Sequence, residues 1–228
     1  MRISKTIGTH TFALPKFAAL VSALLCCFAA AVPAAAITAS FTSKTVSISG
    51  LSASARIFVC GYGSKTPPSG IESWSRQAGI VKSTAGGTAD VSIEAPPLDL
   101  DSIWLIVDLT SGAYVVTAPP GGHPRQMTVS PVIATDMRGV AFLRPEIDAM
   151  IVRSPLGAWN ANAGDGRTSD VDRRNDGRVT LGLGTLTPIG DTPHGPDVLV
   201  PGDLVFAVYQ PWMEYTLVQI PAGGSGAH

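Results

Sequence analysis

Cysteine is scarce in this 228-residue chain, in which it occurs three times. Cys26 and Cys27 lie in an N-terminal apolar stretch, so Cys60 is alone in the rest of the chain. A single cysteine cannot form an intrachain disulfide, and the fold therefore does not depend on a disulfide framework. Cys60 follows the run Arg56–Val59, whose apolar side chains occupy both faces, and we interpret it as a small buried apolar residue. The alternative, a reactive or intermolecular thiol, has no nearby histidine or basic cluster in the sequence to activate it.

Acidic residues are absent from the first 36 positions. Residues 1–16 carry Arg2, Lys5 and Lys16, the stretch from Phe17 to Val32 has no charge, and small residues follow at positions 33–36. A basic leader, a short apolar core and an A-x-A site together predict a secretory signal peptide that is cleaved after Ala36. The mature protein is then expected in the periplasm or outside the cell.

Two other interpretations of this segment remain open. The uncharged stretch from Phe17 to Ile37 is about long enough to stay in a bilayer as an anchor. Cys26 or Cys27 could instead carry a lipid, but Leu24 and Leu25 stand where a lipoprotein signal has small residues. Pro33 and the cleavage site favour removal of the leader.

A dense basic patch is also missing. The leader holds three of the 16 basic residues and none of the 17 acidic ones, so its removal leaves 13 against 17, a net charge of −4. This charge argues against nucleic acid as the main partner, because such a partner needs a dense basic patch. No later run is long and apolar enough to span a membrane. Arginine outnumbers lysine 11 to 5, and alanine and glycine are abundant, a composition typical of bacteria with GC-rich genomes.

Helical periodicity is nearly absent, and strand periodicity is what remains. Thr88–Glu94 and Arg178–Leu183 alternate apolar and polar residues with a period of two, which predicts half-buried strands. Continuous apolar runs at Ile103–Val107 and Leu204–Tyr209 predict central strands that are covered on both faces. Further strands are predicted at 45–49, 127–133 and 147–152. The spacing of Ile71, Trp74 and Ala78 is the one helix-like pattern, and its segment is too short to form a stable helix. Many short strands with frequent Pro and Gly turns predict an all-β protein of the sandwich or barrel type.

Two parts of the chain resemble each other. With Gly87 placed on Gly177, the two alternating strands superpose, and further on Ser102–Tyr114 matches Asp203–Tyr215 without a gap. We therefore predict a signal peptide (1–36), a sandwich-like module 1 (37–121), a related sandwich-like module 2 (125–221) and a disordered tail (222–228). The alternative is a chance likeness, because any two β-hairpins share alternation and turns.

Oxygen-bearing side chains are concentrated in the segment from Asn160 to Gly177, which we interpret as a loop. Calcium binds six to eight such oxygens, and a candidate calcium site is therefore predicted here. An EF-hand that starts at Asp170 places Arg174 at a ligand position and Leu181 at the bidentate glutamate position, so the match is poor. Three arginines in the segment, together with Arg178 directly after it, compete for the carboxylates, and the alternative is a salt-bridged surface loop. The candidate ligands are Asn160, Asn162, Asp165, Asp170, Asp172 and Asp176.

Recognisable catalytic motifs are missing. No serine stands in a G-x-S-x-G elbow, and beyond the leader the chain has only His123, His194 and His228. The set Asp191-x-x-His194-x-x-Asp197 could supply metal ligands, but a closed zinc site needs four, so a polar surface loop is the favoured interpretation. No catalytic residue and no cofactor other than the possible calcium is predicted.

Trp212 differs from the other tryptophans, because the repeat aligns it with Ser111 in a plain turn. An indole near a hairpin tip predicts a ligand contact, although large aromatics often fold back onto the protein. The sequence therefore predicts an exported, non-catalytic binding or structural β protein. The alternatives are a carbohydrate-binding module with a structural calcium, and a hydrolase whose site is assembled from distant residues. A protein or a glycan is the expected partner.

Overall fold

Strands account for nearly all regular structure in the computed structural model, which confirms the all-β prediction. The structure describes residues 36–65, 73–94, 98, 101–128, 131–133, 137–142, 147–162, 179–183, 186–209 and 212–221. The predicted signal peptide and the predicted tail lie outside these ranges, apart from Ala36. No helix within the described residues has the length and apolar character needed to cross a membrane.

Module 1 is a sandwich of two antiparallel sheets. Its seven strands are β1 (Thr38–Phe41), β2 (Thr45–Ser49), β3 (Arg56–Lys65), β4 (Ser73–Lys82), β5 (Ala89–Ser92), β6 (Ile103–Asp108) and β7 (Tyr114–Thr117). The outer sheet has the order β1-β2-β5 and the inner sheet the order β4-β3-β6-β7. Residues 57–63 of β3 and all residues of β6 are buried, because these central strands are covered on both faces.

Module 2 repeats this arrangement strand for strand. Its strands are β8 (Arg125–Gln126), β9 (Val132–Ile133), β10 (Gly139–Phe142), β11 (Ile147–Arg153), β12 (Gly157–Asn162), β13 (Val179–Gly182), β14 (Thr187–Pro188), β15 (Leu204–Tyr209) and β16 (Glu214–Gln219). The outer sheet has the order β9-β10-β13, and the inner sheet has β12-β11-β15-β16 at its centre. Two-residue strands extend the inner sheet, β14 beside β12 and β8 parallel to β16.

The strand pairing supports the predicted repeat at the level of single residues. Val107 lies opposite Phe58 in module 1, and its aligned residue Val208 lies opposite Asp148 in module 2. Gly112 and Met213, which the alignment also matches, both have a left-handed backbone, with φ of 75° and 48°. The chain therefore forms two tandem sandwiches of the same topology, an architecture that immunoglobulin-like and fibronectin-like modules share.

Each module encloses its own apolar core between its outer and inner sheets. In module 1 the odd-numbered residues of β3 and the even-numbered residues of β6 face the outer sheet, among them Ile57 and Trp104. In module 2 Ile147, Val205 and Trp159 take this place. This burial confirms that Trp104 is a core residue.

A third core lies between the two inner sheets. Phe58, Cys60 and Leu105 from module 1 share it with Met150 and Phe206 from module 2. The two inner sheets therefore cover one another, and the four sheets form four layers. Cys60 is fully buried in this shared core, as predicted, and burial raises the pKa of its thiol. A buried thiol with a raised pKa is a poor nucleophile, which contradicts the reactive alternative.

Two local expectations differ from the structure, whereas the described residues of the segment with helix-like spacing form no helix, as expected. Asn160 and Asn162 belong to β12 rather than to a loop, because β11 and β14 both pair with this strand. The predicted strand at 127–133 is shorter, with β9 limited to Val132–Ile133. The helix-like spacing around Trp74 falls at the start of β4, where ten residues pair with β3.

Candidate functional site

The hairpin between β15 and β16 presents Trp212 at its tip. This side chain is 58% exposed, more than any other large apolar side chain that the structure describes. The Tyr209 ring meets it edge to face, with the ring centroids 5.7 Å apart and an angle of 83° between the planes. The indole therefore does not fold back into the core, and a neighbouring ring restrains its orientation.

The backbone of the next residue explains how the tip is held. Met213 adopts a left-handed φ of 48° and is only 5% exposed, because its side chain enters the shared core. A non-glycine residue in this region is strained by about 1–3 kcal/mol. The matched position in module 1 is Gly112, which takes this conformation without strain. We call Tyr209, Trp212 and Glu214 the tip surface.

Polar groups border the tip surface. Glu214 is half-buried and lies opposite the exposed Arg125 in the parallel pairing of β16 with β8. A backbone hydrogen bond of 2.7 Å from Met127 to Tyr215 fixes the chain after β8. The tip surface therefore contains two aromatic rings and one acidic side chain, and the basic side chain of Arg125 lies beside it on β8.

The predicted calcium site falls mostly outside the described residues. Asp165, Asp170, Asp172 and Asp176 all lie there, so the prediction stays a prediction. Asn160, by contrast, is 8% exposed, and its side-chain oxygen has no hydrogen-bond partner among the described residues. Within the described ranges no three His, Cys, Asp or Glu residues cluster as a metal site.

The Asp191–His194–Asp197 segment is a surface loop after β14. Asp191 accepts a hydrogen bond of 2.5 Å from Arg56 of module 1, while His194 and Asp197 are exposed. Arg56 also donates to the carbonyl oxygens of residues 155 and 156. The carboxylate of Asp191 thus helps to join the two modules, which agrees with the structural interpretation of this loop.

A buried polar cluster lies between the inner sheets, and we define it by Tyr62, Arg76, Asp148 and Asn160. Arg76 on β4 donates a 2.6 Å hydrogen bond to Asp148 on β11, whose side chain is completely buried. Burial raises the pKa of the Asp148 carboxyl, and the Arg76 guanidinium opposes this effect only in part. The Tyr62 hydroxyl and the second Asp148 oxygen have no hydrogen-bond partner among the described residues.

Sequence reasoning did not single out this cluster. The available signal is Asp148, a charge inside the otherwise apolar run 147–152, which predicts a strand. A buried carboxylate needs a partner, but nothing local in the sequence indicates Arg76, which lies 72 positions away. Only the packing of the two inner sheets brings the two residues together.

A small cleft of about 320 Å³ opens at the other end of the inner sheets. Its lining includes Ser111 and Ser154, together with Arg153, which donates two 2.7 Å hydrogen bonds to Asp203. No histidine lines this cleft. Arg153 and Asp203 satisfy each other, so the cleft has the character of a structural junction.

No family model matches the chain, and no curated protein is significantly similar to it.

Proposed function

We propose that this chain is an exported, non-catalytic binding protein that contacts its ligand through the tip surface. Export rests on the basic, apolar and small-residue pattern of positions 1–36. The contact rests on the exposure of Trp212, which is the single observation that carries the proposal. Tryptophan is enriched among the residues that dominate binding energy, because its large ring loses much water-exposed apolar area on contact.

The support beneath Trp212 favours a binding role over incidental exposure. The Tyr209 ring restrains the indole before binding, which lowers the entropy lost when a ligand immobilises it. The strained Met213 backbone persists only because the surrounding packing holds it, and such strain is concentrated at functional sites. Module 1 has Ser111 and Gly112 at the matched positions, so the shared topology does not require these features.

A glycan is the ligand class that this geometry favours first. The exposed indole can stack on the apolar face of a sugar ring, and the charged residues Glu214 and Arg125 give the neighbouring surface the polar character that suits a sugar. A protein partner that buries the same ring is the second candidate. A structural calcium bound by the predicted aspartate-rich segment is compatible with both.

The test compares Trp212→Ala with a matched control, Leu156→Ala. Leu156 is 45% exposed and lies in the β11–β12 turn, at the opposite end of the same sheet. We expect the mature wild-type protein and Leu156→Ala to bind the same glycans on an array and Trp212→Ala to lose them. Titration of the array hits should also quench the fluorescence of the wild-type protein.

A protein partner is tested with a photo-crosslinking amino acid at position 212, and at position 156 as control, in the producing cell. Adducts from position 212 alone would identify a protein ligand. If Trp212→Ala binds every glycan that the wild-type protein binds, and position 212 gives no more adducts than position 156, the tip surface is not a contact site.

A further inference from the structure

The two inner sheets meet through equivalent faces. In module 1 the shared core contains Phe58, Cys60 and Tyr62 of β3, and in module 2 it contains Met150 and Val152, which match Cys60 and Tyr62. The strands run in opposite directions across this contact, since Arg56 at the start of β3 bonds the carbonyls that follow the end of β11. Two related surfaces that meet in this way have an approximate two-fold axis between them.

The Arg76–Asp148 pair breaks this symmetry. Asp148 lies opposite Val208, and Phe58 lies opposite Val107. Val208 and Val107 are aligned in the repeat, so Asp148 is equivalent to Phe58. Arg76 pairs with Tyr62 across β3 and β4, and Ala158 pairs with Val152 across β11 and β12. Because Tyr62 and Val152 are equivalent, Arg76 is equivalent to Ala158. The symmetry counterpart of the ion pair is therefore the apolar pair of Phe58 and Ala158, and both residues are completely buried.

This asymmetry matters for the choice of partner module. If two copies of module 2 packed together in the same geometry, each buried Asp148 would face an alanine and have no cation. If two copies of module 1 packed together, each Arg76 would face a phenylalanine. The completely buried Asp148 carboxylate without a cation disfavours the first assembly strongly, and the partly buried Arg76 guanidinium without an anion also disfavours the second, whereas an apolar pair in the same place does neither.

We propose that the Arg76–Asp148 pair makes module 1 pack on module 2 and prevents either module from packing on a second copy of itself. The apolar residues of the shared core supply the attraction, which is similar for all three combinations. The ion pair supplies the discrimination, because only the combination of module 1 with module 2 places both charges together. This specificity-determining role is independent of what the tip surface binds.

The test replaces the pair with its own symmetry counterparts, as Arg76→Ala combined with Asp148→Phe in the full mature chain. Both halves of the interface then present the same apolar residues. We expect the fraction of dimer, measured by light scattering at one protein concentration, to rise by about tenfold over the wild-type protein. Arg76→Lys combined with Asp148→Glu keeps both charges and should behave like the wild-type protein.

A second measurement identifies which modules have paired. Ser111 of module 1 and Ser154 of module 2 line the same cleft and are both exposed, so spin labels at these positions report one short distance in the wild-type protein. In dimers formed by identical modules that short distance should disappear. An unchanged mass together with an unchanged label distance in the apolar double variant would overturn the proposal.

A failure to fold is also informative. Arg76→Met combined with Asp148→Leu is a second apolar replacement, closer in volume to the original side chains. If both apolar variants are unfolded while the charge-conserving variant is folded, the ion pair is required for folding itself. That result would equally overturn a role in partner choice.

Discussion

At the residue scale, two arginines of module 1 reach across to module 2 in different surroundings. Arg76 meets a carboxylate whose side chain is completely buried, whereas Arg56 meets Asp191, whose side chain is 71% exposed. Water can solvate Asp191 if its partner is removed, but it cannot solvate Asp148. The same type of ion pair therefore has a different energetic weight at the two positions.

This difference gives a paired prediction. Arg76→Ala should lower the free energy of unfolding by about 3 kcal/mol, because it leaves a buried carboxylate without a partner. Asp191→Ala, the control, breaks only the exposed ion pair with Arg56 and should lower it by about 1 kcal/mol or less. Chemical denaturation of both variants measures the two values, and equal losses would show that the burial of Asp148 is not what matters.

Asp108 gives a prediction about pH. Burial acts to raise the pKa of its carboxyl, but hydrogen bonds from Ser52, Ser111 and Thr110 outweigh this effect and hold the pKa below its ordinary value. A lowered folded-state pKa stabilises the fold at pH values above the unfolded-state pKa, and this contribution is lost as the pH falls through the folded-state pKa.

Asp108→Asn removes that titration. We expect the wild-type protein to be the more stable at pH 6 and the difference in unfolding free energy to shrink as the pH falls towards 3. Other carboxyl groups titrate alike in both proteins, so denaturation curves across this range isolate the contribution of Asp108. A difference that stays constant with pH would contradict the assigned pKa direction.

At the element scale, the long hairpin of β3 and β4 contains glycines with opposite roles. A Cβ atom at Gly61 would come within 2.6 Å of the Trp104 ring on the neighbouring strand, so the indole requires the missing side chain. A Cβ atom at Gly79 would meet nothing within 4 Å. One glycine is thus a packing requirement, and the other only adds backbone freedom.

Alanine substitutions should separate the two roles. Gly61→Ala is expected to lower the free energy of unfolding by about 2 kcal/mol or more, because the core around Trp104 must move. Gly79→Ala, its matched control in the same hairpin, should raise stability by about 0.5 kcal/mol through reduced freedom of the unfolded chain. Thermal unfolding of the two variants tests this, and a tolerated Gly61→Ala would contradict the close contact.

The same scale shows how far the sequence predicts the structure. Period-two alternation predicted β5 and β13, and continuous apolar runs predicted β6 and β15, because these signals are local to each strand. Strand β12 was not predicted, since Asn160 and Asn162 are polar and the strands that pair with β12, namely β11 and β14, are not adjacent to Asn160 in the sequence. The exposure of Trp212 could be suspected from its aligned turn, but its support by Tyr209 depends on the hairpin geometry.

At the scale of the whole molecule, the shared core joins the two sandwiches into one structural unit. The buried residues that fill the shared core span positions 58 to 213. The buried carboxylate of Asp148 belongs to module 2, and its cationic partner, Arg76, belongs to module 1. Contacts between distant segments leave no periodic signal in a single sequence. The sequence therefore predicts the repeat of the two modules but not the contact between them. Exposing either inner sheet alone would uncover large apolar side chains such as Phe58 and Phe206.

Native-state hydrogen exchange tests this central claim most directly. The central strands β6 and β15 lie in different modules, and both face the shared core. If that core makes the modules fold together, the slowest amides of the two strands should report the same unfolding free energy, with the same dependence on denaturant. Values for β6 and β15 that differ by more than about 1 kcal/mol would show that the two sandwiches open independently and would contradict the account.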